Sequence, residues 1–207
     1  MRMTQPKENE RLYHSELFIE ALTFAARAHQ TQARKRTEIP YISHLMSVSA
    51  IVMEAGGSET EWIAALLHDS IEDTETSLAE VRAAFGKDVA RIVKACSDYD
   101  PATDGSKKPA WHARKAVHIN HLRTARQDEL LVTVADKIHN GESIINDLET
   151  VGKRVWNRFN ATPIDTRWYY ASVLEVADKR LKNRYAVERL RRLVRKLDAA
   201  VASLDRA

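Results

Sequence analysis

Residues 62–74 read WIAALLHDSIEDT, an apolar, alanine-rich run that leads directly into His68-Asp69 and then into Glu72-Asp73. Trp62, Ile63, Leu66 and Leu67 follow helical spacing, which predicts a helix with one buried face. On a continuous helix, side chains four apart lie one above the other, about 5.4 Å along the axis. Such a helix sets Glu72 over His68 and Asp73 over Asp69. Four ionisable groups then crowd the end of a segment whose earlier turns are core. Burying them without partners is costly, so the segment asks for a cation or a substrate. An isolated His-Asp pair is usually a surface pair or a hydrogen-bonded core histidine. The rest of the chain decides between these readings.

The 207 residues suffice for one domain with a sizeable core. At 44% hydrophobic residues the composition is globular, and with only six glycines and five prolines it favours an all-α chain. Cys96 is the single cysteine, which excludes an internal disulfide and suits a reducing, cytoplasmic compartment. No apolar run approaches the roughly 18–20 residues of a membrane span, and residues 1–10 lack the apolar core of a signal peptide.

Outward from the central stretch, apolar periodicity predicts helices at about 15–32 and 41–55. Between them lies a basic loop, Arg34-Lys35-Arg36-Thr37-Glu38-Ile39, with Pro40 expected at the first position of the second helix. Ser58 with Glu61 forms a capping box that opens the central helix, and Ser77 with Glu80 forms another. The second opens a short helix ending at Gly86, followed by a helix over 88–96. Residues 97–109 are a long polar loop. Further helices are expected at about 110–124, at 128–150 (stopped by Gly152), from an Asp165 cap to Leu181, and in a basic segment at about 183–204.

Two more polar residues interrupt apolar helical faces. His44 lies among Ile42, Leu45, Met46 and Val48, and Asp136 follows Leu130-Leu131-Val132-Thr133-Val134-Ala135. With His68 and Asp69 they offer two imidazoles and two carboxylates from three helices. That donor set suits a borderline divalent ion such as manganese, iron or zinc.

The order His44…His68-Asp69…Asp136 resembles the HD phosphohydrolase superfamily. More narrowly, HQTQARKRTEIPYISHL, HDSIEDT and VADKIHN resemble the hydrolase domain of RelA/SpoT-type alarmone enzymes and the small alarmone hydrolases. The resemblance covers about residues 15–180 and implies a single helical HD domain spanning 1–207. It implies one manganese ion per chain, with zinc or iron as alternatives, held by His44, His68, Asp69 and Asp136. Glu72 and Asp73 then handle the attacking water. Arg34 and Lys35 flank base and ribose, Asn140 lies near the nucleotide, and Tyr169 lines the pocket. The implied reaction is hydrolysis of the 3′-pyrophosphate of guanosine 3′,5′-bis(diphosphate)-type alarmones, releasing pyrophosphate and GDP or GTP. With no room for a synthetase domain, hydrolysis alone is expected.

The chain departs from the family at Arg36-Thr37, where a glycine is common, and at Leu45, where many relatives have proline. Base recognition falls on the altered loop, so adenosine analogues are an alternative substrate. A broader HD nucleotide phosphatase is another, and a nucleotide- or RNA-binding module is the non-enzyme alternative. The partner expected is a small-molecule nucleotide, with no membrane; nucleic acid is disfavoured, and a homo-oligomer remains open. His29 is expected to pack or orient the basic loop, and His139 matches no ligand position. Lys107, Lys108, Arg114 and Lys115 are equally well read as phosphate contacts and as surface charges.

Overall fold

In a computed structural model, residues 14–97 and 109–203 are described, and among them there is no strand, only an isolated antiparallel bridge between Ala33 and Pro40. The helices are α1 (Glu16–Ala28), α2 (Ile42–Glu54), α3 (Glu59–Leu67), α4 (Ser70–Asp73), α5 (Leu78–Cys96), α6 (Trp111–Leu122), α7 (Gln127–Val151), α8 (Pro163–Arg180) and α9 (Arg184–Ala202). A 3-10 helix, Gly152–Arg158, continues from α7. The all-α expectation holds. Residues 98–108, with Lys107 and Lys108, lie outside the described residues, as do the termini.

The long helix α7 is the spine, packing against α2, α3, α5, α8 and α9. Its first turns bury Leu130, Leu131, Val132, Val134 and Ala135, so the helix is apolar on nearly all sides before it reaches Asp136. Fully buried Ala21 and Ala25 let α1 pack closely on α3. On α9 the stripe Ala186, Leu190, Leu193, Leu197 and Val201 is buried at helical spacing against α7 and α8. Gly141 makes the α7–α9 contact possible. A Cβ there would lie 2.5 Å from Leu193 Cδ2 and 2.8 Å from Tyr170 Cε1.

The capping boxes form as expected. Ser58 N–H donates to Glu61 Oε2 at 2.6 Å, and Ser77 N–H to Glu80 Oε2 at 2.8 Å. Gly86, at φ 87°, kinks α5 where two helices were expected to meet.

Three local expectations are corrected. The central helix is not continuous: α3 ends at Leu67, His68 and Asp69 form a turn, and α4 is one turn long. Pro40 does not begin α2, because it is held in the bridge to Ala33, and its carbonyl accepts from Ser43 N–H. Asp165 does not cap α8. Thr162 does, accepting from Asp165 N–H at 3.1 Å, while the Asp165 carboxylate returns a bond to Thr162 N–H.

Candidate metal centre

The turn after Leu67 carries two of the four expected residues, His68 and Asp69. On a straight helix His68 and Asp69 would diverge by about 100° around the axis. Their backbone angles stay in the right-handed region here, and the side chains themselves converge, with His68 Nε2 3.0 Å from Asp69 Oδ2. From α2, His44 presents Nε2 at 3.4 Å from Asp69 Oδ2 and 3.3 Å from Asp136 Oδ1. His68 Nε2 lies 3.6 Å from the same Asp136 oxygen. His44, His68 and Asp136 are buried, and one donor atom from each lies within 4.8 Å of the others. Asp69 joins them from a more exposed position, with 23% of its side chain accessible. The structure thus assembles all four of the residues expected to bind a cation.

The donor set fits a divalent ion. His44 Nε2 and His68 Nε2 are buried and make no hydrogen bond, yet both face carboxylate oxygens. Donor atoms about 2.0–2.2 Å from a shared ion lie roughly 3.0–3.5 Å from one another, which matches these separations. His68 Nδ1 donates to the Ala65 carbonyl at 2.8 Å, leaving the Nε2 lone pair available. The local field favours positive charge at this point. Burial opposes charging His68, but Asp69 and Asp136 outweigh it and raise the imidazole well above the ordinary histidine value. Burial likewise opposes charge on Asp69, and the two histidines outweigh it to hold its carboxyl well below the usual range. For Asp136 the opposing burial is outweighed first by Lys137, then by the histidines.

A cavity of about 790 Å³ adjoins the cluster, walled by the basic loop, α7, α8 and the segment after the 3-10 helix. Four residues on its wall each touch a member of the cluster. Tyr41 Oη donates to Asp69 Oδ2 at 2.6 Å, and His139 Nδ1 lies 2.7 Å from His44 Nδ1. Lys137 Nζ pairs with Asp136 Oδ2, and Asn140 Nδ2 donates to Asp136 Oδ1. Among the described residues, six cationic side chains line the cavity: Arg34, Lys35, Arg114, Lys115, Lys137 and Arg158. A second cavity, about 660 Å³ between α5 and α6, includes none of the cluster residues.

The other expected site residues fall around this cavity. Asp73 lies on its wall, with Oδ2 3.4 Å from both Tyr41 Oη and Gln32 Nε2. Glu72 lies 3.9 Å from Arg114 Nη1. Arg34 Nη2 donates to Asn140 Oδ1 at 2.8 Å, which links the basic loop to Asp136 through Asn140. Lys35 Nζ reaches Asn160 Oδ1 at 3.3 Å across the cavity mouth. Tyr169 is 4% exposed, and Lys115 and Lys137 lie over its ring at 5.1 and 5.7 Å. It is core and cavity wall at once. Arg36, at φ 57°, is the only non-glycine residue with positive φ among the described residues, and its guanidinium donates to the Asn157 carbonyl.

The expectation for His29 holds: it stacks on Tyr41 with 5.1 Å between ring centroids, and its Nδ1 lies 2.5 Å from Gln32 Oε1. Tyr41, Lys137 and His139 are not marked out by periodicity. Their signal is adjacency to the clustered residues, three before His44 and one and three after Asp136. Burial, then His44 and Arg34, push His139 down to about 4.

A helical fold, paired imidazoles and carboxylates at one point, and a cation-lined cavity beside them define a class, and an HD domain family model matches residues 21–166. The chain belongs to the HD domain family. Its relatives include guanosine-3′,5′-bis(diphosphate) 3′-pyrophosphohydrolase MESH1 of Xenopus tropicalis, 37% identical over 144 residues, covering 68% of this chain and 74% of the relative. The Homo sapiens protein of that name is 37% identical over 142 residues, covering 67% and 73%. A solved structure of a metazoan SpoT ortholog, described as hydrolysing ppGpp, aligns with TM-score 0.65 at 29% identity over 93% of this chain and 98% of its own. Among the described residues no helix is long and apolar enough to cross a membrane.

Proposed function

We propose that this chain is a metal-dependent hydrolase that removes the 3′-pyrophosphate of guanosine 3′,5′-bis(diphosphate)-type alarmones. The observation that carries the reading is the two unsatisfied, buried histidine nitrogens set against two carboxylates at the edge of a cavity lined by six cations. A nucleotide bearing two diphosphates brings the opposite charge to that wall. The matched relatives' named activity agrees with it.

In this reading His44, His68, Asp69 and Asp136 hold one divalent ion, manganese first, with zinc or iron as alternatives. A divalent ion supplies the Lewis acidity that lets water lose a proton near neutral pH. Asp73, with Glu72 beside it, accepts that proton and orients the water. The water oxygen bonds to the phosphorus carried by the 3′-oxygen, the bond from that phosphorus to the 3′-oxygen breaks, and the 3′-oxygen takes up a proton, giving pyrophosphate and GDP or GTP. Arg114, Lys115 and Lys137 offset charge on the phosphoryl oxygens. Arg34 and Lys35 flank the base and ribose, with Asn140 and Tyr169 completing the pocket. Residues 15–180 form the catalytic core of one domain, which the basic α9 buttresses. Arg184, Arg189 and Arg191 are each ion-paired with an acidic side chain, which argues against a nucleic-acid surface. A cytoplasmic location belongs to the same proposal.

One observation favours a second substrate. Arg36 holds a left-handed backbone that costs about 1–2 kcal/mol for a non-glycine residue, and it ties the basic loop to the Asn157 carbonyl. That tie fixes the loop expected to flank the base through a side chain that glycine lacks, and an adenosine alarmone is the candidate. The test is release of phosphate and pyrophosphate from 3′-diphosphorylated guanosine and adenosine nucleotides and from 5′-monophosphates, with manganese and with chelator. Manganese-dependent pyrophosphate release from the guanosine substrate is expected. Turnover of 5′-monophosphates alone would replace the reading with a general phosphatase, and tight binding without turnover would replace it with a binding module.

A further inference from the structure

The two histidines reach the centre by different routes. The Ala65 carbonyl can only accept a hydrogen bond, so its contact with His68 Nδ1 fixes the proton there. His44 has no carbonyl in that role; its Nδ1 faces another imidazole nitrogen, His139 Nδ1, at 2.7 Å. One of the two nitrogens carries the proton between them. If His139 donated it, a neutral His44 would carry its own proton on Nε2, the atom facing Asp69 and Asp136. No lone pair would remain for a cation. His44 Nε2 in fact makes no hydrogen bond, as expected if that atom is reserved for another partner.

We propose that His139 is a positioning residue: its Nδ1 accepts the proton of His44 Nδ1 and thereby fixes His44 as the tautomer that offers Nε2 to the ion. The inference rests on the metal reading above and goes beyond it by assigning a role to a residue outside the ligand set. One helix supplies both restraints. Asp136 faces Nε2 of the His44 ring, and His139, three residues further along α7, faces Nδ1. The rings are tilted by 40° with centroids 4.8 Å apart, so the contact runs nitrogen to nitrogen rather than as a flat stack. His139 then carries its own proton on Nε2 and stays a neutral donor on the cavity wall.

The experiment titrates manganese and zinc into chelator-stripped wild type, His139→Leu and His139→Asn by calorimetry, with melting curves of the stripped proteins alongside. Asparagine keeps an acceptor oxygen near the position of Nδ1, whereas leucine keeps bulk and offers no acceptor. Loss of a hydrogen-bond partner behind a metal ligand typically weakens metal binding 10–100-fold, and that loss is expected for leucine. Asparagine should stay within about threefold of wild type, since its acceptor preserves that partner. Excess metal should also restore turnover in the leucine variant, which a packing defect would not allow. Should leucine fail to fold, His139→Ala carries the same comparison. Equal weakening in the leucine and asparagine variants, or none in either, overturns the inference while leaving the metal centre standing. A stripped wild type that takes up no ion overturns the metal centre itself.

Discussion

Replacing Lys137 with methionine tests whether the carboxylates were assembled to hold a positive charge. Lys137 Nζ pairs with Asp136 Oδ2, and the two side chains are only 13% and 10% exposed. Burial opposes the lysine's charge, and Asp136 outweighs it, so the ammonium is held well above its ordinary value. Methionine keeps the length and removes the charge. Breaking a buried pair from one side costs about 3–5 kcal/mol, and the neighbouring imidazoles place this site at the lower end, about 3 kcal/mol. For a domain of this size each kcal/mol moves Tm by about 2–4 °C. The stripped variant should therefore melt about 6–12 °C below stripped wild type. A bound divalent ion changes the comparison, because it gives Asp136 a second positive partner and no longer competes with the ammonium. The variant should bind manganese more tightly than wild type and recover most of its deficit at saturating metal. At 100 times the Kd an ion contributes about 2.7 kcal/mol, which is large enough to read by melting. An equal deficit with and without metal, or weaker binding by the variant, would refute the reasoning.

Glu72→Gln and Asp73→Asn should retain metal content while losing about 10²–10⁴ in turnover; wild-type rates in both would remove them from the reaction. Tyr41→Phe keeps the stack on His29 and loses the bond to Asp69, so metal affinity should drop about 10–100-fold in a calorimetric titration, the usual cost of such a loss. Unchanged affinity would show that Asp69 is oriented without the hydroxyl. Arg91 on α5 pairs with Asp128 and Glu129 on α7, each at 2.6 Å, and gives a pH test. Burial opposes charge on Asp128, Arg91 outweighs it, and the carboxyl is held below its ordinary value. A lowered folded pKa contributes stability that is present above the unfolded value, about 3.9, and lost as pH falls through the folded one. Wild type should therefore melt above Arg91→Ala at pH 7, and the gap should shrink as pH falls below the unfolded carboxyl's value. A gap that persists in acid would assign the effect to packing.

The residues that assemble the centre were legible because each breaks an apolar run. His44, His68 and Asp136 are polar at positions where helical spacing demands core, and burying such groups is costly enough to imply a reason. The break after Leu67 was not legible. No glycine or proline marks it, and an alanine- and leucine-rich stretch ending in His-Asp satisfies helical propensity without interruption. The tertiary contacts of His68 and Asp69 override that propensity. Lys137 was hidden for a different reason: a lysine beside an aspartate on a helix normally reaches solvent, whereas here its ammonium pairs with Asp136 and lies over the Tyr169 ring on α8. The 3-10 helix from Gly152 and the Ala33–Pro40 bridge are local but follow neither the 3.6- nor the 2-residue period, so apolar spacing does not mark them. His139 was visible as a neighbour of the site, but its tautomeric role requires the distance to His44.

Gly141 follows Asn140 on α7, where Leu193 and Tyr170 press against its bare backbone. That contact couples residue 141 to Leu193 on α9. A side chain at 141 would displace both Leu193 and Tyr170, and a shorter residue at 193 would relieve the nearer of the two contacts. Among relatives the sizes at these two positions should therefore vary inversely, although neither residue touches the cavity.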